Sequence, residues 1–224
     1  MENRYEKKFL VENLCINEIS NIVRFNQLNF QKVYENRFIN NIYFDDVEMN
    51  YYRDNIEGNT NRKKVRIRWY GELKGKNEKP NLEIKIKKGE IGYKNKFLLN
   101  NFSVIEDFNS EYNKICENLK DLKKFHLVSS LRPTLVNRYQ RSYFESFNKE
   151  FRLTIDQDLE YFTFFNNRIS FFQRFQQKNT VIVELKYATQ YSKNANIVSN
   201  QFPFRLSKSS KYIMGIDKIK PYFF

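Results

Sequence analysis

The sequence predicts an α+β fold built around about eight β-strands, with helices set between and after them. Three observations carry this reading. Period-two alternation of apolar with charged or polar residues recurs from one end of the chain to the other. Amphipathic helical patterns separate several of these segments. No Pro/Gly/Ser-rich linker, repeat or low-complexity block divides the 224 residues, so 1–224 reads as one domain.

The strand segments, in order, are Arg4–Val11, Ile39–Asp45, Lys64–Tyr70, Leu82–Lys88, Gly92–Leu98, Thr134–Glu145, Phe151–Asp156 and Thr180–Tyr187. Each alternates because successive side chains of a strand point to opposite faces. Short helical patterns fall at Asn17–Phe25 and Asp46–Asp54, and a longer amphipathic one at Glu106–Lys123. Ser207–Gly215 begins at a Ser and stops at a Gly, as a pair of caps would. Tyr161–Phe175 is aromatic and fits either state.

Composition narrows the class. With 41% hydrophobic and 17% aromatic residues, including 22 Phe and 15 Tyr, the chain can bury a sizeable core and is no disordered basic tail. No run of about 18 apolar residues occurs, and MENRYEKKFLVENL lacks a signal-peptide pattern, so a cytoplasmic protein without a membrane segment is expected. Cys15 and Cys116 make no disulfide framework, and with His126 as the single His there is no zinc-type cluster. Any metal would be held by oxygen. Six Gly and four Pro form no phosphate-cradling loop, so phosphate would be bound by side chains. Phosphate matters because 39 Lys+Arg against 26 Asp+Glu leave a net charge of +13, which calls for an anionic partner.

Six strands place charge on one face. Val65-Arg66-Ile67-Arg68-Trp69 sets two arginines opposite its apolar residues, and Leu82-Glu83-Ile84-Lys85-Ile86-Lys87 sets Glu, Lys, Lys. Phe151–Asp156 offers Arg152, Thr154 and Asp156; Val181–Lys186 offers Ile182, Glu184 and Lys186. Tyr139, Arg141 and Tyr143 share a face, as do Arg4, Glu6 and Lys8. A single such face is ordinarily the solvated side of a half-buried sheet. Six together, dominated by Arg and Lys, also suit a closed sheet whose lumen holds a polyanion, since crowded like charges need neutralising.

These residues resemble a known family. Ile42-Tyr43-Phe44-Asp45, Tyr52-Arg53-Asp54 and Arg62–Gly71 are similar to the VTC domain, the polyphosphate-polymerase branch of the triphosphate tunnel metalloenzymes, or CYTH-like superfamily. Leu82–Lys85, Tyr139–Tyr143, Arg152–Asp156, Val183–Lys186 and Ser210-Lys211-Tyr212 with Gly215 follow in the family's order. The resemblance implies an eight-stranded antiparallel β-tunnel, a closed barrel with helices packed outside. It further implies transfer of the γ-phosphate of ATP, or another triphosphate, onto a growing inorganic polyphosphate chain.

Carried over by position, Lys8, Arg66, Arg68, Lys85, Arg141, Arg152 and Lys211 fall on phosphate-contacting positions and Glu184 on the metal-binding glutamate. Arg66, Arg68, Lys85, Arg141 and Arg152 are the expected catalytic group. Lys8, Lys94, Tyr139, Lys186 and Lys211 are expected to contact substrate, although Tyr139 fits a structural role equally well. Glu184 and Glu6 are the candidate ligands of Mg²⁺ or Mn²⁺, hard cations that suit carboxylate and phosphate oxygens. The first strand reads Arg4-Tyr5-Glu6-Lys7-Lys8 where hydrolytic relatives carry Glu-x-Glu-x-Lys, which turns the expectation away from a simple triphosphatase. Lys94 and Lys96 are the candidates at the polymer exit, whereas Ile91 stands where the family's polymerases place a lysine and departs from the family pattern there.

Rival readings are a triphosphate or nucleoside-triphosphate hydrolase in the same tunnel, and a non-catalytic polyphosphate or nucleotide-binding module. Nucleic acid is not expected as partner, because the strand arginines alternate with Ile, Val and Leu rather than with aromatics. A membrane-bound partner remains compatible with the chain. His126, Cys15, Cys116 and the phenylalanines at 162, 164, 165, 171 and 172 read as structural.

Overall fold

The structure is a computed structural model. It describes residues 4–89 and 91–220, without the side chains of Arg4 and Ile91. The expectations placed on those two side chains therefore lie outside the described residues.

In chain order the elements are β1 (Arg4–Glu12), α1 (Ile16–Arg24), β2 (Gln31–Asp45), α2 (Asn50–Glu57), β3 (Asn61–Tyr70) and β4 (Gly75–Lys76). They continue with β5 (Asn81–Lys88), β6 (Ile91–Leu98), β7 (Ser103–Val104), α3 (Asn109–Asp121), β8 (Arg132–Glu145) and β9 (Phe151–Phe165). The chain ends with β10 (Arg168–Gln177), β11 (Thr180–Ala188), α4 (Ser192–Asn200), β12 (Arg205–Leu206) and α5 (Lys211–Ile219). The α+β class is as expected. Among the described residues, ten strands form one sheet in the order β12-β1-β11-β9-β8-β2-β3-β5-β6, with β10 paired to β9, and β4 pairs with β7. The pairs whose register is described are antiparallel.

All eight expected strands are present, but the sheet holds ten. The additions have physical reasons. β10 comes from the aromatic segment that fits either state, and β12, at two residues, is too short to show a period. β2 begins eight residues before the expected Ile39, because Gln31–Phe38 is exposed throughout and alternates nothing, whereas burial starts at Ile39. α2 starts at Asn50 rather than Asp46, since Asp45 and Asp46 act as caps. The Asp46 carboxylate accepts the Asn50 N–H at 2.9 Å, and the Asp45 carboxylate accepts those of Tyr51 and Tyr52, each at 2.9 Å. Gly215 lies inside α5 instead of ending it. A Cβ there would come within 2.5 Å of Leu135 and 2.6 Å of the Tyr161 ring, so the glycine permits close packing and is no cap.

The chain divides into two compact units. The first comprises Met1–Arg37, Tyr139–Leu159 and Gln177–Ser209, and the second Phe38–Arg138, Glu160–Gln176 and Ser210–Phe224. In the first unit, Phe9, Val11, Leu153, Ile155, Val183 and Leu185 alternate out of β1, β9 and β11 into one apolar core. Ile19 and Val23 of α1 and Ala195 and Val198 of α4 pack into it. In the second unit, Ile42, Val65, Ile67, Trp69, Leu82 and Ile84 form the corresponding core, covered by Ile115 and Leu119 of α3. In each unit the residues between these apolar ones therefore share the opposite face. Among the described residues, no helix is long and apolar enough to cross a membrane.

Candidate functional site

The polar face of the first unit is built on β1, β11, β9 and β8. Lys8 stands opposite Glu184 and Glu6 opposite Lys186 in the β1–β11 ladder. Glu184 in turn faces Thr154, Lys186 faces Arg152, and Ile182 faces Asp156. The buried Glu184 carboxylate lies 2.9 Å from Lys186 Nζ, 3.5 Å from Arg141 Nη2 and 3.8 Å from Lys8 Nζ. Lys8 Nζ is also 3.4 Å from Glu6 Oε1, so two carboxylates of adjacent strands converge on one cation.

Arg141 is fixed by a two-pronged pair with Asp156, donating from Nε at 2.5 Å and Nη2 at 2.6 Å. Burial pushes its pKa down, but the adjacent Asp156 charge outweighs this and holds it well above the ordinary arginine value. The guanidinium also lies 5.4 Å from the ring centroid of Tyr139, which is fully buried. Arg152 is different. Its side chain is 63% exposed and is held by Glu145 at 3.0 Å rather than by the buried cluster.

The polar face of the second unit is built on β2, β3, β5 and β6. Arg66 is opposite Tyr43 on one side and Glu83 on the other, and Lys64, Lys85 and Lys94 make one cross-strand row. Like charges directly opposite one another destabilise a sheet unless something neutralises them. Glu83, nearly fully buried, accepts from Arg66 Nε at 2.9 Å and Nη2 at 2.7 Å and from Lys94 Nζ at 2.7 Å, with Arg68 Nη1 at 3.8 Å. Burial alone would raise the Glu83 pKa, but Arg66, Arg68 and Lys94 overcome it and hold the carboxyl well below the usual range. Burial lowers the Lys94 pKa, with the pair to Glu83 acting against it.

Neighbouring groups aim the remaining cations of this unit. Arg68 Nε donates to Asn41 Oδ1 at 2.8 Å, and Asn41 Nδ2 to Asn137 Oδ1 at 3.1 Å. Lys64 Nζ is 2.7 Å from Ser210 Oγ, just before α5, whose first residue is the buried Lys211. Below them Tyr212 donates to Asp45 at 2.6 Å. Burial and the Asp45 charge push the tyrosine far above its ordinary pKa, so it stays protonated.

The structure thus brings together Glu6, Lys8, Arg141, Glu184 and Lys186 in the first unit, with Tyr139 against Arg141; Arg152 stands cross-strand from Lys186 but pairs with Glu145. In the second it gathers Arg66, Arg68 and Lys94 about Glu83, with Lys85 in the adjoining row and Lys211 at the start of α5. Sequence reasoning placed Glu83 and Asp156 on the right faces but left both off the candidate site. The missing signal was register. Neither carboxylate stands near its partner in sequence, and only the β3–β5 and β8–β9 pairings set them beside Arg66 and Arg141.

Divalent-metal ligands can be tested against the donors present. Among the described residues, no group of three or more His, Cys, Asp or Glu is arranged to hold an ion. The first unit nonetheless offers Glu184, Glu6 and the hydroxyl of Thr154, a buried oxygen without a hydrogen-bond partner and cross-strand from Glu184. These are hard oxygen donors, and an ion such as Mg²⁺ takes few protein ligands when phosphate and water complete its shell. The donor set fits such an ion.

The sequence matches the model of the VTC domain family over residues 3–220. No curated protein matches it. Among solved structures it is similar to a Pyrococcus horikoshii protein, with a TM-score of 0.52 and 10% identity, covering 97% of this chain and 98% of that one. It is also similar to a candidate adenylate cyclase from Vibrio parahaemolyticus, with a TM-score of 0.53, 13% identity and coverage of 95% and 98%. A third, a candidate adenylate cyclase from Bacillus halodurans, gives a TM-score of 0.53, 12% identity and coverage of 100% and 98%. At such identities the likeness is one of fold.

Proposed function

We propose that this chain, which belongs to the VTC domain family, is an ATP-dependent polyphosphate polymerase that passes the γ-phosphate of the nucleotide to a growing polyphosphate chain. The observation that carries the reading is the base-rich face of the second unit, where Arg66, Arg68 and Lys94 gather about the buried Glu83 carboxylate and Lys64 and Lys85 share the adjoining cross-strand row. A face this rich in Arg and Lys attracts a polyanion, and a linear phosphate chain is one. In this reading the sheet closes into a tunnel and residues 1–224 act as one domain. A family match running unbroken through both units supports that.

Phosphoryl transfer asks the protein to hold donor and acceptor in line and to stabilise charge spread over the transferred group. Arg66, Arg68 and Arg141 supply planar forks matched to phosphate oxygens; Lys8, Lys64, Lys85, Lys94, Lys186 and Lys211 supply point charges. Buried pairing with Asp156 fixes Arg141 in place before substrate arrives. Glu184 and Glu6 would hold Mg²⁺ or Mn²⁺, which would supply positive charge to offset that of the phosphates. A terminal phosphate acceptor is already anionic at neutral pH and needs no general base. A hydrolase must activate water, and Glu83, held ionised among three cations, is a poor base for that. Tyr139 packs on Arg141 and is assigned to positioning it.

The test is product analysis after incubation with ATP and Mn²⁺. Gel staining should show polyphosphate chains that lengthen with time, and Arg66→Ala or Glu184→Ala should abolish them. Orthophosphate release without chain growth would replace the polymerase reading with the hydrolase one. Saturable nucleotide binding without turnover would replace it with a binding module.

A further inference from the structure

Helix α1 carries two stripes. Ile19 and Val23 are fully buried in the core of the first unit, as an amphipathic helix on a sheet requires. Asn17, Ser20, Asn21 and Arg24, spaced i, i+3, i+4 and i+7, form a second, polar stripe. That stripe walls a cavity of about 460 Å³, completed by Lys32 and Asn36 of β2, Ser142 and Phe144 of β8 and Gln157 of β9. The volume is within the ordinary range of small-molecule sites. Ser142 and Phe144 alternate with Arg141 and Tyr143 on β8, so the cavity opens on the side of the strand away from the charged face.

Its lining has a definite chemistry. Two cations, Arg24 and Lys32, stand among amide and hydroxyl groups, and no carboxylate lines it. Lys32 has its ion pair outside the cavity, 3.9 Å from the fully solvated Glu35. The floor is held in place, because the buried Ser142 hydroxyl donates to Asn36 Oδ1 at 2.9 Å and Gln157 Nε2 donates to Gln140 Oε1 at 2.7 Å. Ile16 and Phe144 add a small apolar patch. An apolar ligand would leave the amides unsatisfied, and a cation would meet two like charges. A compact anion with several hydroxyl groups satisfies both parts of the lining.

We propose that this cavity is a second ligand site, for a small phosphorylated polyol of the sugar-phosphate kind. The phosphate is held by Arg24 and Lys32, the hydroxyls by Asn17, Asn21, Asn36 and Gln157, and the carbon face by Phe144. The site is independent of what the charged faces do.

Titration of the full chain with glucose 6-phosphate, followed by amide NMR shifts and calorimetry, tests it. Shifts should centre on the α1 stripe, Lys32–Asn36, Ser142 and Gln157, and unphosphorylated glucose should bind more weakly. The double variant Arg24→Ala/Lys32→Ala should lose about tenfold or more in affinity for glucose 6-phosphate, as expected for removed charge-assisted contacts. Its melting temperature and its binding of tripolyphosphate should stay as in the wild type. Shifts centred on Arg66 or Glu184, no shifts at the named amides, or a double variant that binds like the wild type would each overturn the assignment. The wild-type shift map alone decides the matter should the variant misfold.

Discussion

The polar faces of the two units are made of the same strand chemistry yet balance their charge in opposite ways. In the first, Glu6, Glu184 and Asp156 stand against Lys8, Arg141 and Lys186, acid for base. In the second, Glu83 stands against Arg66, Arg68 and Lys94, with Lys64 and Lys85 in the next row. A balanced cluster can take up a small cation by exchanging a lysine for it. A base-rich cluster attracts an anion instead. On the proposed function, this difference would put the divalent ion at the carboxylates of the first unit and the larger share of the phosphate-binding charge on the second, a division that the overall +13 could not reveal.

Five substitutions can break or sharpen this comparison. The largest effect is expected from Asp156→Asn, which takes from the buried Arg141 its two-pronged partner and leaves it only the longer contact to Glu184. Such a broken pair costs about 3–5 kcal/mol, read as a fall in the unfolding free energy by denaturant titration. A smaller loss would mean that the first face is not held by charge balance.

Arg66→Ala comes next. Removing a forked donor should weaken tripolyphosphate binding about 10- to 100-fold in the absence of metal, by the worth of charge-assisted hydrogen bonds. Glu184→Gln under the same conditions should leave that affinity unchanged or tighter. Equal losses in the two variants would erase the distinction between the faces.

Glu83→Gln should act in both directions. It should tighten tripolyphosphate binding, since the anion no longer competes with a carboxylate for Arg66 and Lys94. It should also cost about 1–3 kcal/mol of stability at neutral pH through lost charged hydrogen bonds. The Glu83 pKa in the folded chain lies below its unfolded value. Its contribution is therefore present above the ordinary carboxylate range, near pH 4, and is lost as pH falls through the folded pKa. The stability gap between wild type and variant should stay constant from pH 8 to 6 and close on acidification below about pH 4. A gap that widens on acidification would contradict the sign.

Arg152→Ala should change stability least, by under about 1 kcal/mol, because its pair with Glu145 is exposed. Its effect on tripolyphosphate affinity should also be smaller than that of Arg66→Ala.

The same contrast explains what the sequence could reveal. Strands with one face in a core, such as Lys64–Tyr70 and Thr180–Tyr187, announce themselves because every second residue is an apolar one of that core. Gln31–Phe38 is a strand with no buried face, so nothing in its composition alternates. The helix Ser192–Asn200 leaves little trace in the sequence, because its buried stripe is only Ala195, Val198 and Ser199 in a run of Asn, Ser and Lys. The shared face of Arg66 and Arg68 was legible from alternation alone, and so was the charged face that carries Glu184. Glu83 and Asp156 were legible in face but not in role. Their role depends on which strand lies alongside, and pairing register is decided by the whole sheet rather than by local sequence.

The division of labour is tested most directly by the paramagnetic resonance of Mn²⁺ titrated into the chain with a non-hydrolysable ATP analogue. Wild type should bind the ion with the analogue, Glu184→Gln should still bind the analogue but lose the protein-bound Mn²⁺ signal, and Arg66→Ala should lose the analogue. Undiminished Mn²⁺ binding in Glu184→Gln, or undiminished analogue binding in Arg66→Ala, would contradict the account.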